Sequence, residues 1–204
     1  MNPNMELKLT REVEILQSID KLSYLSRSQI QRLHGLGSNR NACRVLANMD
    51  DFLNSFRAEE NVYYLNKNGR ERIGSKDIRS KTLQYRHFLM RNDLYIYLKK
   101  PSIWENEYNI DINGVKIIPD VMYTKKVLNE DRYFFAEIDN EQIIATNLNK
   151  LRKYKQLKDT GVYQNQLKYF PTLVWVVKTE RRKNDLLKYG EGLKQEIYLW
   201  HEIR

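Results

Sequence analysis

The chain is poor in residues that mark special chemistry. Its 204 residues include one cysteine, Cys43, which excludes internal disulfides and any cysteine-based zinc cluster. The three histidines, His34, His87 and His201, are scattered, which argues against a histidine-rich metal centre. No apolar run approaches the length of a membrane-spanning helix, and the start Met1-Asn2-Pro3-Asn4-Met5-Glu6 has no signal-peptide apolar region. A cytoplasmic location with no membrane partner is the expectation. No internal repeat and no low-complexity stretch is present.

What the chain does have is charge and enough apolar content for a core. Hydrophobic residues make up 41% and charged residues 30%, a balance that suits a folded domain rather than a disordered one. The formal net charge is +9, which favours a polyanionic partner because a positive field concentrates phosphate-bearing ligands. Charge alone does not separate DNA from RNA or from an acidic membrane.

Residues 9 to 74 read as helices followed by a hairpin. Leu9-Thr10 offers a helix start, with Val13, Leu16 and Ile19 at helical spacing. Ser26 caps a second helix to Leu33, and Gly35-Leu36-Gly37 breaks it. Ser38 caps a third helix to about Met49, with Ala42, Val45, Leu46 and Met49 facing inward. Phe52–Phe56 and Val62–Leu65 form a hairpin, and Asn66 caps a short helix through Ile73. This order predicts a winged helix-turn-helix over residues 1–75, with the third helix as its reading element. The outward residues Asn39, Arg40, Asn41, Arg44 and Asn48 are the DNA-binding candidates. Asparagine bonds adenine edges, and arginine bonds guanine edges or phosphates. The plainer alternative is a solvated face without acids. Cys43, within the same helix, reads as a small buried residue.

Gly74-Ser75-Lys76 is the linker candidate, which leaves residues 76–204 as a second domain. Residues 1–75 carry 11 basic and 9 acidic side chains, so most of the basic excess falls beyond them. That is unexpected if a winged helix alone met DNA. The second part opens with a long helix from Ser80 to about Lys99. Strands then follow at Trp104–Tyr108, around the turn Asn113-Gly114, at Ile117–Tyr123 and at Arg132–Asp139. A helix from Thr146 to Asp159, a strand at Thr172–Val177, a charged helix from Glu180 and a last strand at Glu196–Trp200 complete it. The order predicts a mixed α/β domain around a central mixed sheet.

One constellation offers a reaction. Asp120 follows Pro119, which suits an edge or a bulge. Glu137 and Asp139 are two apart on a strand, so both project from one face. Acids at the end of the apolar run Tyr133–Ala136 are costly to leave unpaired, and a cation bound by Asp120, Glu137 and Asp139 explains them. Magnesium accepts such carboxylate oxygens and suits phosphodiester hydrolysis. The plainer alternative makes Asp120 a turn residue, with Glu137 and Asp139 salt-bridged to Lys150, Lys153 or Arg132.

Pro119-Asp120, a spacer, Glu137-Ile138-Asp139 and a following helical lysine together resemble the PD-(D/E)XK nuclease core. Asp139 stands where that core usually has lysine. The resemblance therefore makes Lys150 the first substitute and Lys153 the second, placed to position water or to neutralise developing charge. With the predicted winged helix in front, Pro119-Asp120, Ala136–Asp139 and Lys150–Tyr154 look more specifically like the replication-relaxation family of plasmids, phages and integrative elements. The resemblance covers nearly the whole chain. It implies a restriction-endonuclease-like second domain in a relaxase-related, mobile-element DNA-processing protein. It also implies double-stranded origin DNA as partner, Mg²⁺ or Mn²⁺ as cofactor, Asp120, Glu137, Asp139 and Lys150 as catalytic residues, and a possible homodimer. The alternative is a DNA-binding regulator or accessory protein whose second domain grips DNA or dimerises without cutting.

Overall fold

Side-chain caps set the helix starts of the amino-terminal part in a computed structural model that describes residues 3–140 and 143–204. Helix α1, Pro3–Leu22, begins earlier than the expected Leu9-Thr10 start, because the good helix formers Glu6–Leu9 carry the helix back past Thr10. Its Ile15, Leu16, Ile19 and Leu22 are buried. A short strand β1, Leu25–Ser26, leads into α2, Arg27–His34. Ser26 and Gln29 close a capping box there, each side chain accepting from the other's backbone N–H. Ser38 caps α3, Asn39–Ala47, by accepting from Asn41 N. Strands β2, Leu53–Arg57, and β3, Asn61–Leu65, make the hairpin, and β3 also pairs with β1. Asn66 caps α4, Lys67–Ile73, through Gly69 N. Gly69 is required, since a Cβ there would lie 2.2 Å from the Phe52 carbonyl oxygen.

The chain divides into two compact units, Met1–Asn92 and Asp93–Arg204, and the division falls inside helix α5, Tyr85–Tyr97. The helix expected from Ser80 starts five residues later. Tyr24 donates its hydroxyl proton to the Ser80 carbonyl at 2.6 Å, which takes the acceptor that a helix starting there would use. Residues 75–82 are irregular. Phe88 packs with Tyr24 and Val62, and the Asn92 amide donates to the carbonyls of Leu22 and Tyr24. Gln29 donates to the Leu89 carbonyl, and Arg91 to that of Leu22. These bonds make residues 76–92 part of the first unit. They bring it Lys76, Arg79, Lys81, Arg86 and Arg91 against the single acid Asp77, raising its charged side chains to 16 basic and 10 acidic. By this division the larger basic excess belongs to the first unit, which removes the puzzle that the 75/76 division raised.

In the second unit, strands β5, Ile110–Ile112, and β6, Val115–Ile117, pair around Asn113-Gly114. Both turn residues have positive φ, 51° and 81°, as a type I′ turn demands. The single strand expected over 117–123 is broken. Strand β6 ends at Ile117, and β7, Val121–Val127, joins a different sheet. Pro119 has no N–H to give a ladder, and it marks the break. Strands β4, Trp104–Asn106, β8, Glu130–Asp139, β9, Thr172–Val177, and β10, Gln195–Leu199, complete a five-stranded sheet of order β10-β9-β8-β7-β4. Strands β8, β9 and β10 run parallel, while β4–β7 and β7–β8 are antiparallel. The second unit is therefore mixed α/β with a central mixed sheet, as expected.

Helix α6, Ile144–Asp159, and a short α7, Val162–Leu167, which the sequence reading missed, connect β8 to β9. Helix α8, Glu180–Tyr189, connects β9 to β10, and α9, Trp200–Ile203, follows. Strand alternation sends Phe135, Glu137 and Asp139 to one face and Phe134, Ala136 and Ile138 to the other. On the first face Phe135, Leu173, Trp175 and Val177 pack with Leu151, Tyr154 and Leu157 of α6 and with Leu186 of α8. Burying each such aliphatic or aromatic side chain contributes about 1.5–3 kcal/mol. No helix among the described residues is long and apolar enough to cross a membrane.

Candidate functional site

The break before β7 and the end of β8 bring two acids together. Val121 pairs with Ala136, so one further step along the register sets Asp120 opposite Glu137. Asp120 Oδ2 accepts a hydrogen bond from Ile138 N at 2.6 Å, which anchors the broken segment to β8. From α6, Lys150 donates to Glu137 Oε2, and its Nζ lies 4.0 Å from Asp120 Oδ2. Tyr154, one turn further on, donates to Glu137 Oε1 at 2.7 Å. The four-residue spacing puts Lys150 and Tyr154 on the same helix face, so one helix serves both oxygens of one carboxylate.

Burial dominates the electrostatics. Glu137 is fully buried. Its carboxyl is pushed up to about 8, first by burial and then by the charge of Asp120, against the opposing pull of Lys150 and the Tyr154 hydroxyl. Burial pulls the Lys150 ammonium down, but the charges of Glu137 and Asp120 outweigh it and hold its pKa above the ordinary value. Burial and the Glu137 charge raise the Tyr154 phenol well above its usual range, so it remains a proton donor. The arrangement is a desolvated carboxyl group held between a cation and a phenol, with a second carboxyl at its edge.

Asp139 has a different partner. Its Oδ2 lies 2.7 Å from Arg182 Nε of α8, and the carboxylate is buried. Same-face neighbours on a strand are about 6.6–6.8 Å apart, too far for Glu137 and Asp139 to close on one point without bending toward each other. Among the described residues no three histidine, cysteine or acidic side chains are grouped to hold a metal ion. The expected triad is thus divided: Asp120 and Glu137 gather at Lys150, and Asp139 pairs with Arg182. Lys153, the second lysine candidate, donates to the Lys116 carbonyl instead, and Arg132 pairs with Glu130.

The helical spacing from Lys150 announced Tyr154 as a neighbour, though not as a partner of Glu137. Arg182 falls within the charged helix expected from Glu180, and no spacing rule ties it to an acid on another element. Asn147 was not singled out at all. It is fully buried on α6, and among the described residues neither of its amide atoms has a hydrogen-bond partner.

On α3, four of the five candidate residues are exposed: Asn39, Arg40, Arg44 and Asn48. Asn41 is half-buried, donates to the Leu36 carbonyl at 2.8 Å, and accepts from Arg44 at 2.9 Å. Asn39 accepts from Arg27 at 3.0 Å. The helix ends at Ala47, and Asn48 is its C-cap. Cys43 is exposed, contrary to the expectation of burial, because it falls between the inward positions Ala42 and Leu46.

A family profile described as replication-relaxation matches residues 16–173. The chain belongs to the replication-relaxation family. The replication-relaxation match starts within α1 and ends in β9. It takes in α3, Asp120, Glu137, Asp139, Lys150 and Tyr154, and leaves Arg182 outside. No curated protein matches the chain. Among solved structures, that of the restriction endonuclease FokI is similar at a TM-score of 0.41 and 14% identity. The similarity covers 95% of this chain and 43% of that one, so this chain spans less than half of that protein's length.

Proposed function

We propose that this replication-relaxation protein processes the DNA of a plasmid, phage or integrative element by metal-dependent hydrolytic nicking. The single observation that carries the reading is the convergence of Asp120 and Glu137 on Lys150 beside the broken strand. Family membership supports a role connected with replication. In this reading the first unit is a winged helix that reads duplex DNA through the exposed Asn39, Arg40, Arg44 and Asn48. The 16 basic side chains of that unit supply its sequence-independent attraction to phosphates.

The second unit carries the chemistry. Its donor set suits Mg²⁺ or Mn²⁺: two neighbouring carboxylates, one fully desolvated and held up by burial, gain from a divalent cation at their edge. Asp120 and Glu137 would hold it, with Asp139 next along β8. Such an ion supplies an activated water and stabilises charge on a leaving oxygen. Lys150 fixes the Glu137 carboxylate and keeps its remaining donors for a phosphate oxygen. Tyr154 locks the other carboxylate oxygen, so Glu137 presents one orientation.

Incubating supercoiled origin DNA with Mg²⁺ or Mn²⁺ tests the reading. Wild type should give open-circular product, and Asp120→Asn with Glu137→Gln should not. A wild-type protein that shifts the DNA yet leaves it supercoiled refutes hydrolysis. That result selects the second reading, a DNA-binding accessory or regulatory protein. The internal pairing of Glu137 with Lys150 and of Asp139 with Arg182 favours that reading, since both acids already have cations.

A further inference from the structure

We propose that an unstacked nucleobase of single-stranded DNA seats in an aromatic cavity one layer along the sheet from the Lys150–Glu137 pair. The inference rests on the reading of that pair as a phosphodiester site, and it names the form of DNA the site accepts. The cavity has a volume of about 200 Å³. Phe135 and Met122 form its buried floor, and the half-buried Tyr108, Tyr133 and Tyr163 form its walls. Gln166, at the mouth, is exposed.

Register places this cavity next to the acids. Phe135 pairs with Met122 across β7 and β8, and both residues are floor. Two residues further along β8, on the same face, is Glu137, with Asp120 opposite it. The step is about 7 Å, the scale on which a nucleotide's base stands off from its own backbone phosphate. A phosphate at Lys150 therefore leaves its base within reach of the cavity.

The lining fits a base better than an aliphatic side chain. Ring faces stack any base without regard to sequence, and three phenols and one amide offer donors and acceptors to its edge. Phe135 and Tyr163 meet edge to face, with centroids 5.6 Å apart at 74°, so the pocket is braced from within. The Tyr163 phenol is pushed up to about 12, by burial and then by Tyr108, and so stays a donor at working pH. Tyr169 ties down the Tyr133 wall, its hydroxyl accepting from Tyr133 N at 2.9 Å. Paired, stacked bases of a duplex cannot enter, so the ligand is a single strand or a flipped nucleotide.

The test uses the full chain with a fluorescein-labelled oligothymidylate and its duplex with oligoadenylate. Tyr108→Ala should weaken single-strand binding about 5- to 150-fold, the effect of losing one base–aromatic stack, and leave duplex binding unchanged. Tyr108→Phe should keep the single-strand affinity. Single-strand affinity unchanged in Tyr108→Ala, or falling together with duplex affinity, overturns the proposal, as does a wild type that binds no single strand. A 5-iodouracil oligonucleotide photo-cross-linked to wild type gives a reading that needs no variant to fold. Cross-links to the peptides carrying Tyr108, Tyr133 or Tyr163 support the pocket, and cross-links only elsewhere refute it. Strand binding that depends on Tyr108 without nicking would leave the pocket standing and remove hydrolysis. Nicking without such dependence would do the reverse.

Discussion

Asp120 is bound to the backbone of Ile138: its Oδ2 accepts the Ile138 N–H at 2.6 Å across the gap where β7 has not yet begun. Asp120 therefore acts as a structural acceptor and as a negative charge 4.0 Å from Lys150. The two roles separate by substitution. Asp120→Ala removes both and is expected to lower stability by about 1–3 kcal/mol, the cost of an unsatisfied, partly buried donor. Asp120→Asn keeps an acceptor and should unfold in urea within about 1 kcal/mol of wild type. Equal stability of the two variants would show that the bond to Ile138 contributes nothing.

The raised Glu137 carboxyl gives stability a pH dependence. In the unfolded chain this group titrates near 4.5, and in the folded chain near 8. Between those values the folded protein holds a proton that the unfolded chain has released, so unfolding becomes easier as pH rises through the window. With divalent ions chelated, the Tm should fall from pH 5 to pH 8 and level off above. Glu137→Gln should flatten that fall. A slope unchanged by the substitution would assign the effect to another group.

Tyr154→Phe removes a hydroxyl and almost no volume from a fully buried site. Above pH 8, where Glu137 is charged, the lost bond to its carboxylate should cost about 1.5–3 kcal/mol in denaturant unfolding. Because the Tyr154 hydroxyl favours the charged form of Glu137, its loss should also move the upper end of the pH window to higher pH. A destabilised variant with an unmoved window would mean that the hydroxyl serves packing alone.

Arg182→Met takes from the buried Asp139 the guanidinium that lies 2.7 Å away. Losing one member of a buried ion pair costs about 3–5 kcal/mol. Adding Asp139→Asn should recover a large part of that loss, because a neutral amide no longer needs the cation. A double-mutant cycle measures the coupling, and simple additivity of the two losses would refute the pairing.

On α3, Arg40→Ala and Arg44→Ala should each weaken duplex binding. An arginine that meets phosphate also lowers the slope of log affinity against log salt by about 1. Binding titrations at several salt concentrations read both quantities. Unchanged affinity and slope in both variants would remove α3 from the DNA-reading role.

Most of the first unit was legible because its signals are local. Ser26, Ser38 and Asn66 cap helices where the sequence predicts, and the hairpin turn falls between Arg57 and Asn61. The two-residue strand β1 was missed because Leu25-Ser26 is too short to show alternation. In the second unit the strands and the Asn113-Gly114 turn were also visible, but Pro119 was read as an edge or bulge within one strand rather than as a change of sheet. At the site, the resemblance to the nuclease core put Lys150 beside Glu137, and helical spacing put Tyr154 on the same face as Lys150. The Asp139–Arg182 pair joins β8 to α8, and only the folded sheet brings those positions together. The pairing of Asp139 with Arg182 was therefore not legible in the sequence.

The seating of Phe88 and Asn92 on the first unit bears on how the protein can be cut into pieces. An expression fragment ending at Ser75 would strip the ring that covers Tyr24 and Val62, and would leave the Leu22 and Tyr24 carbonyls without the Asn92 amide. Such a fragment would be sticky and poorly behaved for reasons unrelated to DNA. A truncation that keeps the opening turns of α5 retains those contacts and carries five more cations to its nucleic-acid assays.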